Sequence, residues 1–416
     1  MRAEIITIGD ELLIGQVINT NASYIGKKLS EIGISVARIV SVGDVEKEII
    51  DELKYALDNF EVIILTGGLG PTHDDVTKNA ICKLFNTRLV FSEEVLNQVK
   101  EFLAKRGITQ INEANKSQAF VPEKAKIINN YWGTAPGFLF EEGGKIVIVM
   151  PGVPKEMMGM MENFVINYLA PKSGENVIKQ RVLKTAGIPE SHLYEKLKDT
   201  VAEIEKFCKV AFLPSALGVK IRITVKAKNS SEAEKIINEA EEKIKTKIGK
   251  YIYGVDDEEL EEVVGKLLAQ KGLKLAVAES CTGGLIADRI TNIPGSSRYF
   301  ERGIVAYSNE AKIQILGVPE ELIKIYGAVS REVAEAMAEG VRKISGADIG
   351  ISTTGIAGPT GATPTKPVGL VWIGYSDKNE TFAKEFRFGD NRLENKQRAS
   401  QMALEILRRK LLGIEI

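Results

Sequence analysis

Histidine is almost missing from this chain: His73 and His192 are the only two in 416 residues, and none follows position 192. Imidazole is the usual general base near neutral pH because its pKa lies near ~6.5. Acid–base chemistry beyond residue 192 must therefore use another side chain. Cysteine is also scarce. Cys82, Cys208 and Cys281 are far apart and form no CxxC pair, which argues against a zinc site or a disulfide framework. The N-terminal MRAEIITIGDEL has no secretory apolar region. Nothing approaches a run of ~18 apolar residues, so no membrane association and a cytoplasmic location are the expectations. The net charge of -1 supplies no field for nonspecific nucleic-acid or membrane binding. What is present, 44% hydrophobic and 27% charged residues, is the composition of a soluble globular protein, long enough for two to four domains.

Apolar runs at Glu4–Ile8, Val62–Leu65 and Ile146–Met150 have the character of buried parallel strands. Helical patterns such as Asn21–Ile32 and Lys47–Asn59 separate them. This alternation predicts an α/β domain over residues 1–170. Residues 171–254 change character. Val219–Lys228 alternates as a half-buried strand, and Ser230–Ile248 is an amphipathic helix with Ala233, Ile236, Ile237, Ala240 and Ile244 on one face. A small α+β connector is expected there. Residues 255–416 alternate again and predict a second α/β domain. No internal repeat relates the two.

In the last domain three polar segments stand at strand ends. Ser280 follows a strand and precedes a helix, within Ala278-Glu279-Ser280-Cys281-Thr282-Gly283-Gly284. A hydroxyl at such a turn lies where free N–H groups favour developing negative charge, which suits a nucleophile with an adjoining oxyanion hole. The alternative is that Ser280 or Thr282 only caps the helix. The second segment, Ala306-Tyr307-Ser308-Asn309-Glu310-Ala311-Lys312, places Lys312 three residues into a helix starting at Asn309. A lysine becomes a base when burial or nearby positive charge depresses its pKa, and Arg302 is a source of such charge. Otherwise it is an ordinary surface lysine. The third segment, Thr354 to Gly361, is too Gly-rich for a helix; its amides suit a phosphate or an oxyanion. The competing view is a flexible connection between a strand and a helix.

From Glu279 to Thr360 these segments, AESCTGG, RYFERGIVAYSNEAK, GAVS and GIAGPTG with KPVG, resemble the C-terminal domain of the CinA family, also found as a free-standing nicotinamide-nucleotide amidohydrolase. The resemblance implies hydrolysis of nicotinamide mononucleotide to nicotinate mononucleotide and ammonia, without a cofactor. It implies Ser280 as nucleophile with Tyr307 and Lys312 as partners, either of which is left as the base. Serine–lysine pairs recur as variants of the serine triad. The expected substrate contacts are Glu279, Thr282, Gly283, Asn309, Gly355, Ala357 and Gly358, with Arg392 and Arg398 as cations for the phosphate.

Near the N-terminus, Thr66-Gly67-Gly68-Leu69-Gly70-Pro71-Thr72-His73-Asp74-Asp75 follows a buried strand. It matches neither a P-loop nor the dinucleotide fingerprint. Asp74 and Asp75 are the residue type that holds a hard divalent cation against phosphates; equally, one of them caps the next helix. Gly9-Asp10-Glu11, Asn19-Thr20-Asn21, Gly133-Thr134-Ala135-Pro136-Gly137 and Met150-Pro151-Gly152 add polar strand ends. These stretches, ITIGDELLIGQVINTN, TGGLGPTHDDVT, GTAPGF and MPGVPKEM, resemble the three-layer, molybdopterin-binding-like domain that opens CinA proteins. That domain is linked to hydrolysis of ADP-ribose to AMP and ribose 5-phosphate with a divalent metal (Mg, Mn or Co) and potassium. The resemblance places substrate on Gly9, Asn21, Thr66, Gly67, Gly68, Gly70, Thr72, Gly133, Thr134, Pro151 and Gly152, and metal on Asp10, Asp74 and Asp75, with His73 a base, a ligand or a structural residue. A pterin- or nucleotide-binding module without catalysis is the rival.

CinA proteins carry a KH-like connector between these domains. Here no two glycines between 171 and 254 stand three apart, so the GxxG clamp of nucleic-acid-binding KH domains is missing. A structural or homodimer-forming connector is expected rather than nucleic-acid binding. The family's association with competence leaves an interaction protein as a third class.

Overall fold

The computed structural model describes residues 1–70, 76–174 and 177–416. It divides into two compact units, Met1–Gln180 with Val225–Ile236, and Arg181–Thr224 with Ile237–Ile416.

The first unit is built on a six-stranded sheet. Its strands are β1 (Arg2–Ile8), β2 (Ser35–Val42), β3 (Val62–Thr66), β6 (Lys126–Ile128), β7 (Gly137–Glu142) and β8 (Lys145–Met150); β4 (Leu89–Phe91) and β5 (Phe120–Pro122) form a separate two-stranded antiparallel sheet. The order is β2-β1-β3-β8-β7-β6, parallel from β2 through β8 and antiparallel thereafter. Side chains alternate between the faces of a strand, so a strand buried on both must be apolar throughout. Ile6, Ile63, Leu65, Val147 and Val149 pack on one face against Ile49, Leu53 and Ala56 of the helix Glu46–Asn59. Ala3, Ile5, Val62, Ile64 and Ile148 pack on the other against Ile25 and Leu29 of the helix Thr20–Glu31 and against Met157 and Met160. The result is three layers, helix–sheet–helix. The continuous apolar runs were the signal for β1, β3 and β8; the remaining strands are half-exposed or short and gave no such run.

In the connector, β9 (Val177–Thr185), β10 (Lys209–Ser215), β11 (Gly218–Ala227) and β12 (Ile252–Val255) form a sheet of order β10-β11-β9-β12. The helices Glu190–Ile204 and Ser230–Ile248 complete the α+β module. Ala233, Ile237, Ala240 and Ile244 are buried, as the helical spacing requires.

The C-terminal sheet contains β13 (Leu275–Glu279), β14 (Phe300–Val305), β15 (Ile349–Gly355), β16 (Leu370–Ser376) and β17 (Thr381–Arg387), in the order β14-β13-β15-β16-β17. The first three are parallel and the last two antiparallel. Leu275 and Val277 face a core that includes Leu260, Val264 and Leu268 of one helix and Leu404 and Leu407 of the last. Ala276 and Ala278 face Val333, Met337 and Val341. The carboxyl ends of β14, β13 and β15 therefore lie side by side, the position where ligands bind on open α/β sheets. No helix among the described residues is long and apolar enough to cross a membrane.

Candidate functional site

Ser280, Tyr307 and Thr354 come together because their strands are neighbours. The Ser280 amide donates to the Thr353 carbonyl at 3.0 Å, extending the β13–β15 ladder to the turn. Helix Asn309–Leu316 starts where expected, with Ser308 as its cap accepting from the Ala311 amide at 3.0 Å. Asn309, its first residue, is exposed. One turn of helix carries Lys312 inward, and it is only 2% exposed.

Lys312 Nζ lies 3.1 Å from Ser280 Oγ. It also donates to the carbonyls of Ala306 at 2.9 Å, Tyr307 at 3.0 Å and, more distantly, Ser308 at 3.4 Å. Among the described residues no carboxylate forms an ion pair with it. Burial pushes its pKa below the usual lysine value, with Cys281 and Glu310 pulling weakly the other way. The cause is desolvation, which disfavours the ammonium form. Arg302 has no part in this: it sits on β14 and donates to the Ile344 carbonyl at 3.4 Å. The neighbouring thiol of Cys281 is not a rival nucleophile, because burial pushes its pKa up to about 12.

Neither Ser280 nor Thr282 caps the helix that follows. That task falls to Glu279, whose carboxylate accepts from the amides of Gly284 (2.9 Å), Ile286 (3.1 Å) and Ala287 (2.9 Å). Thr282 is fully buried and its hydroxyl pairs with that of Thr353 at 2.7 Å. Glu279 and Thr282, expected as substrate contacts, are thus spent on the fold. Among the described residues, the Cys281 and Thr282 amides make no hydrogen bond to an acceptor of another residue. These two N–H groups sit next to Ser280 in the chain and are the oxyanion-hole candidates.

Tyr307 contributes its carbonyl to Lys312, while its ring is 60% exposed. Its hydroxyl accepts from Arg392 Nη2 at 2.9 Å and makes no hydrogen bond to Ser280. Arg392 also donates to the Gly358 carbonyl at 2.8 Å, and buried Asn395 donates to the Ala357 carbonyl at 3.0 Å. The Gly355–Gly361 segment is therefore pinned to the last helix. It connects two antiparallel strands, β15 and β16, and is neither free nor a strand-to-helix link. Arg398 is paired with Glu394 at 3.2 Å. A residue the sequence reading missed is Lys396, whose Nζ lies 3.5 Å from where a Cβ on Gly283 would stand. It has no hydrogen bond or ion pair among the described residues. Its only sequence signal was its place between Arg392 and Arg398, which drew attention for themselves.

The first unit holds a cavity of about 580 Å³ at the carboxyl ends of β1, β3 and β8. Its lining includes Gly9, Gly67, Gly68, Gly70, Thr134, Pro151 and Gly152, as well as Glu11, Asp44 and Glu156. Thr66 and Asn21 line a smaller adjoining cavity, where Thr66 donates to the Pro151 carbonyl (2.8 Å) and Asn21 to that of Gly152 (2.7 Å). Gly133 lines neither; a Cβ there would fall 2.1 Å from the Glu156 carboxyl carbon. Thr72, His73, Asp74 and Asp75 lie outside the described residues. Asp10 is tied to Asp44 by reciprocal bonds, its amide donating to the Asp44 carboxylate (3.0 Å) and its carboxylate accepting from the Asp44 amide (3.2 Å). Among the described residues no cluster of three His, Cys, Asp or Glu is arranged to hold a metal.

Fold and sites together define a multidomain α/β protein with a ligand-sized pocket in one domain and a buried serine–lysine pair in another. Residues 4–171 match a probable molybdopterin binding domain, 180–254 the damage-inducible protein CinA KH domain, and 257–411 the CinA C-terminal domain. The chain is 48% identical over 413 residues to a putative competence-damage inducible protein of Caldicellulosiruptor saccharolyticus, covering 99% of this chain and 100% of that one. It is 45% identical over 414 residues to a CinA-like protein of Dictyoglomus turgidum, covering 100% of both. The chain belongs to the CinA family. Among solved structures, the competence/damage inducible protein of Agrobacterium tumefaciens is 41% identical and covers 36% of this chain and 94% of its own, with a TM-score of 0.35.

Proposed function

We propose that the C-terminal domain hydrolyses the amide of a nicotinamide nucleotide, with Ser280 as nucleophile and Lys312 as its base. The observation that carries this reading is the 3.1 Å contact between Lys312 Nζ and Ser280 Oγ. A neutral amine has two N–H groups and one lone pair. The carbonyls of Ala306 and Tyr307, the nearest acceptors with that of Ser308 farther off at 3.4 Å, can take these N–H groups, which leaves the lone pair for the serine O–H. Ser280 Oγ then attacks the amide carbon as its proton passes to Lys312 Nζ. The oxyanion forms against the Cys281 and Thr282 amides, and Lys312 returns the proton to the departing ammonia. Water repeats the sequence on the acyl-serine and releases the acid. Tyr307 and Arg392 frame the site and act on Ser280 only indirectly.

Lys396 is the cation we assign to the substrate phosphate, since Arg398 is already paired with Glu394. Ammonia release from nicotinamide mononucleotide, followed with a coupled dehydrogenase assay, tests both points. The wild type is expected to release ammonia, and Lys396→Ala to raise KM about tenfold or more, the cost of losing one charge-assisted contact. No ammonia from the nucleotide sinks the reading. An unchanged KM removes Lys396 from it.

For the N-terminal domain we propose a nucleotide pocket that hydrolyses a pyrophosphate such as ADP-ribose. Support comes from the glycine-lined cavity, where the Gly68 and Leu69 amides have no acceptor among the described residues. Glu11 and Asp44, the latter already accepting from the Asp10 amide, are lining carboxylates that would meet a divalent cation, which would neutralise phosphate charge and activate water. Chromatography of ADP-ribose incubated with protein and Mg, Mn or Co ions is expected to show AMP and ribose 5-phosphate. Intact ADP-ribose under every metal would leave a binding module in its place.

A further inference from the structure

Glu156 is held at the wall of the N-terminal cavity by an arrangement that has no other evident purpose. Its Oε2 accepts from Asn130 Nδ2 at 2.6 Å. Asn130 is 7% exposed and is itself fixed at both ends of its amide: it donates to the Ala135 carbonyl at 2.8 Å and accepts from the Trp132 amide at 3.0 Å. Gly133 supplies the space, because a Cβ there would lie 2.1 to 2.4 Å from the carboxyl carbon and both oxygens. The other oxygen, Oε1, has no hydrogen-bond partner among the described residues, and Glu156 lines the cavity. A half-buried carboxylate with one oxygen pinned and one open is an acceptor awaiting a donor.

The ligand must also satisfy the rest of the cavity. Among the described residues the Gly68 and Leu69 amides, like those of Thr134 and Gly152, have no acceptor, so they offer donors to an anion. A molecule carrying phosphate at one end and hydrogen-bond donors at the other matches both features. Of common donors, the vicinal hydroxyls of a ribose suit a single open carboxylate oxygen, the chemistry by which carboxylates read ribose in other α/β folds. We infer that Glu156 is the residue that selects ribonucleotides in this cavity, its free oxygen accepting from the ribose hydroxyls while the glycine-loop amides hold phosphate. The inference rests on the reading of the cavity as a nucleotide pocket.

Isothermal titration of the full chain with AMP and with 2′,3′-dideoxy-AMP tests it. The wild type is expected to bind AMP about tenfold more tightly, the worth of a hydrogen bond to a charged group. In Glu156→Gln, the amide oxygen keeps the bond that Asn130 Nδ2 donates, and the NH2 group, a donor, faces the ligand. The ratio is expected to fall to about one, with dideoxy-AMP binding as before. AMP preference kept intact in the variant removes Glu156 as the selector and leaves the nucleotide pocket standing. Wild-type protein that binds both ligands equally well overturns the selection itself. Failure of the wild type to bind either ligand overturns the pocket reading and this inference together. Should the variant lose its cooperative melt, the wild-type ratio decides alone.

Discussion

Ser280→Ala is expected to abolish ammonia release from nicotinamide mononucleotide, by about 10⁴-fold or more, while AMP production from ADP-ribose continues at the wild-type rate. The size follows from removing the atom that forms the covalent bond: in serine hydrolases the nucleophile and its base act as one unit, and losing either costs nearly as much as losing both. The independence follows from the fold. Ser280 stands at the end of β13, in a different sheet from the glycine-lined cavity. The substitution is also structurally mild. Among the described residues the Ser280 side chain makes a single hydrogen bond, to Lys312, and the amide that joins β15 is kept. An unchanged melting temperature with lost deamidation assigns the effect to chemistry. Residual turnover near the wild-type rate would remove Ser280 from the mechanism, and parallel loss of both activities would point to unfolding.

Lys312 gives the second large effect, in opposite directions for activity and stability. Lys312→Met is expected to lower deamidation by about 10³-fold, the usual worth of a general base. Lys312→Arg is expected to be as inactive, because a guanidinium keeps its proton. For stability the sign is fixed by the depressed pKa. Between that folded value and the ordinary lysine value, the unfolded chain holds the extra proton, so wild-type stability rises with pH across that window. Below the folded value both states carry the charge, and the folded state bears the whole desolvation cost. Methionine has no charge to desolvate, so the variant should melt no lower than wild type at neutral pH and lose the rise in stability across the window. Wild-type kcat/KM should likewise climb as Lys312 deprotonates. A pH-independent rate, or an active arginine variant, would show that Lys312 is not the base.

The two variants separate positions that looked equivalent in the primary structure. Ser280, Tyr307 and Lys312 were grouped by their strand-end places, but Lys312 alone reaches the serine hydroxyl, while the Tyr307 hydroxyl is engaged by Arg392. Glu279 and Thr282 were legible as polar residues in a motif, not as residues turned inward. Glu279 closes β13, and its carboxylate bends back over the helix start. Residue identity does not reveal which side of a turn a side chain takes.

The sequence by itself determined the alternation of strands and helices in both outer domains, because burial on two faces demands unbroken apolar runs. It also settled that no imidazole lies beyond residue 192, and it marked the strand-end segments whose polar residues interrupt those runs. Tertiary structure decided what spacing along the chain does not encode. It set β14, β13 and β15 side by side, bringing Ser280 and Lys312, thirty-two residues apart, into contact. It buried Lys312, which supplies the desolvation that no motif displays. It placed Lys396 beside Gly283 and Glu156 against Gly133, and the second of these contacts exists only because a missing Cβ leaves room for a side chain from another element. Local pattern reports the burial of an element; the neighbours of a single charged group depend on how the elements pack.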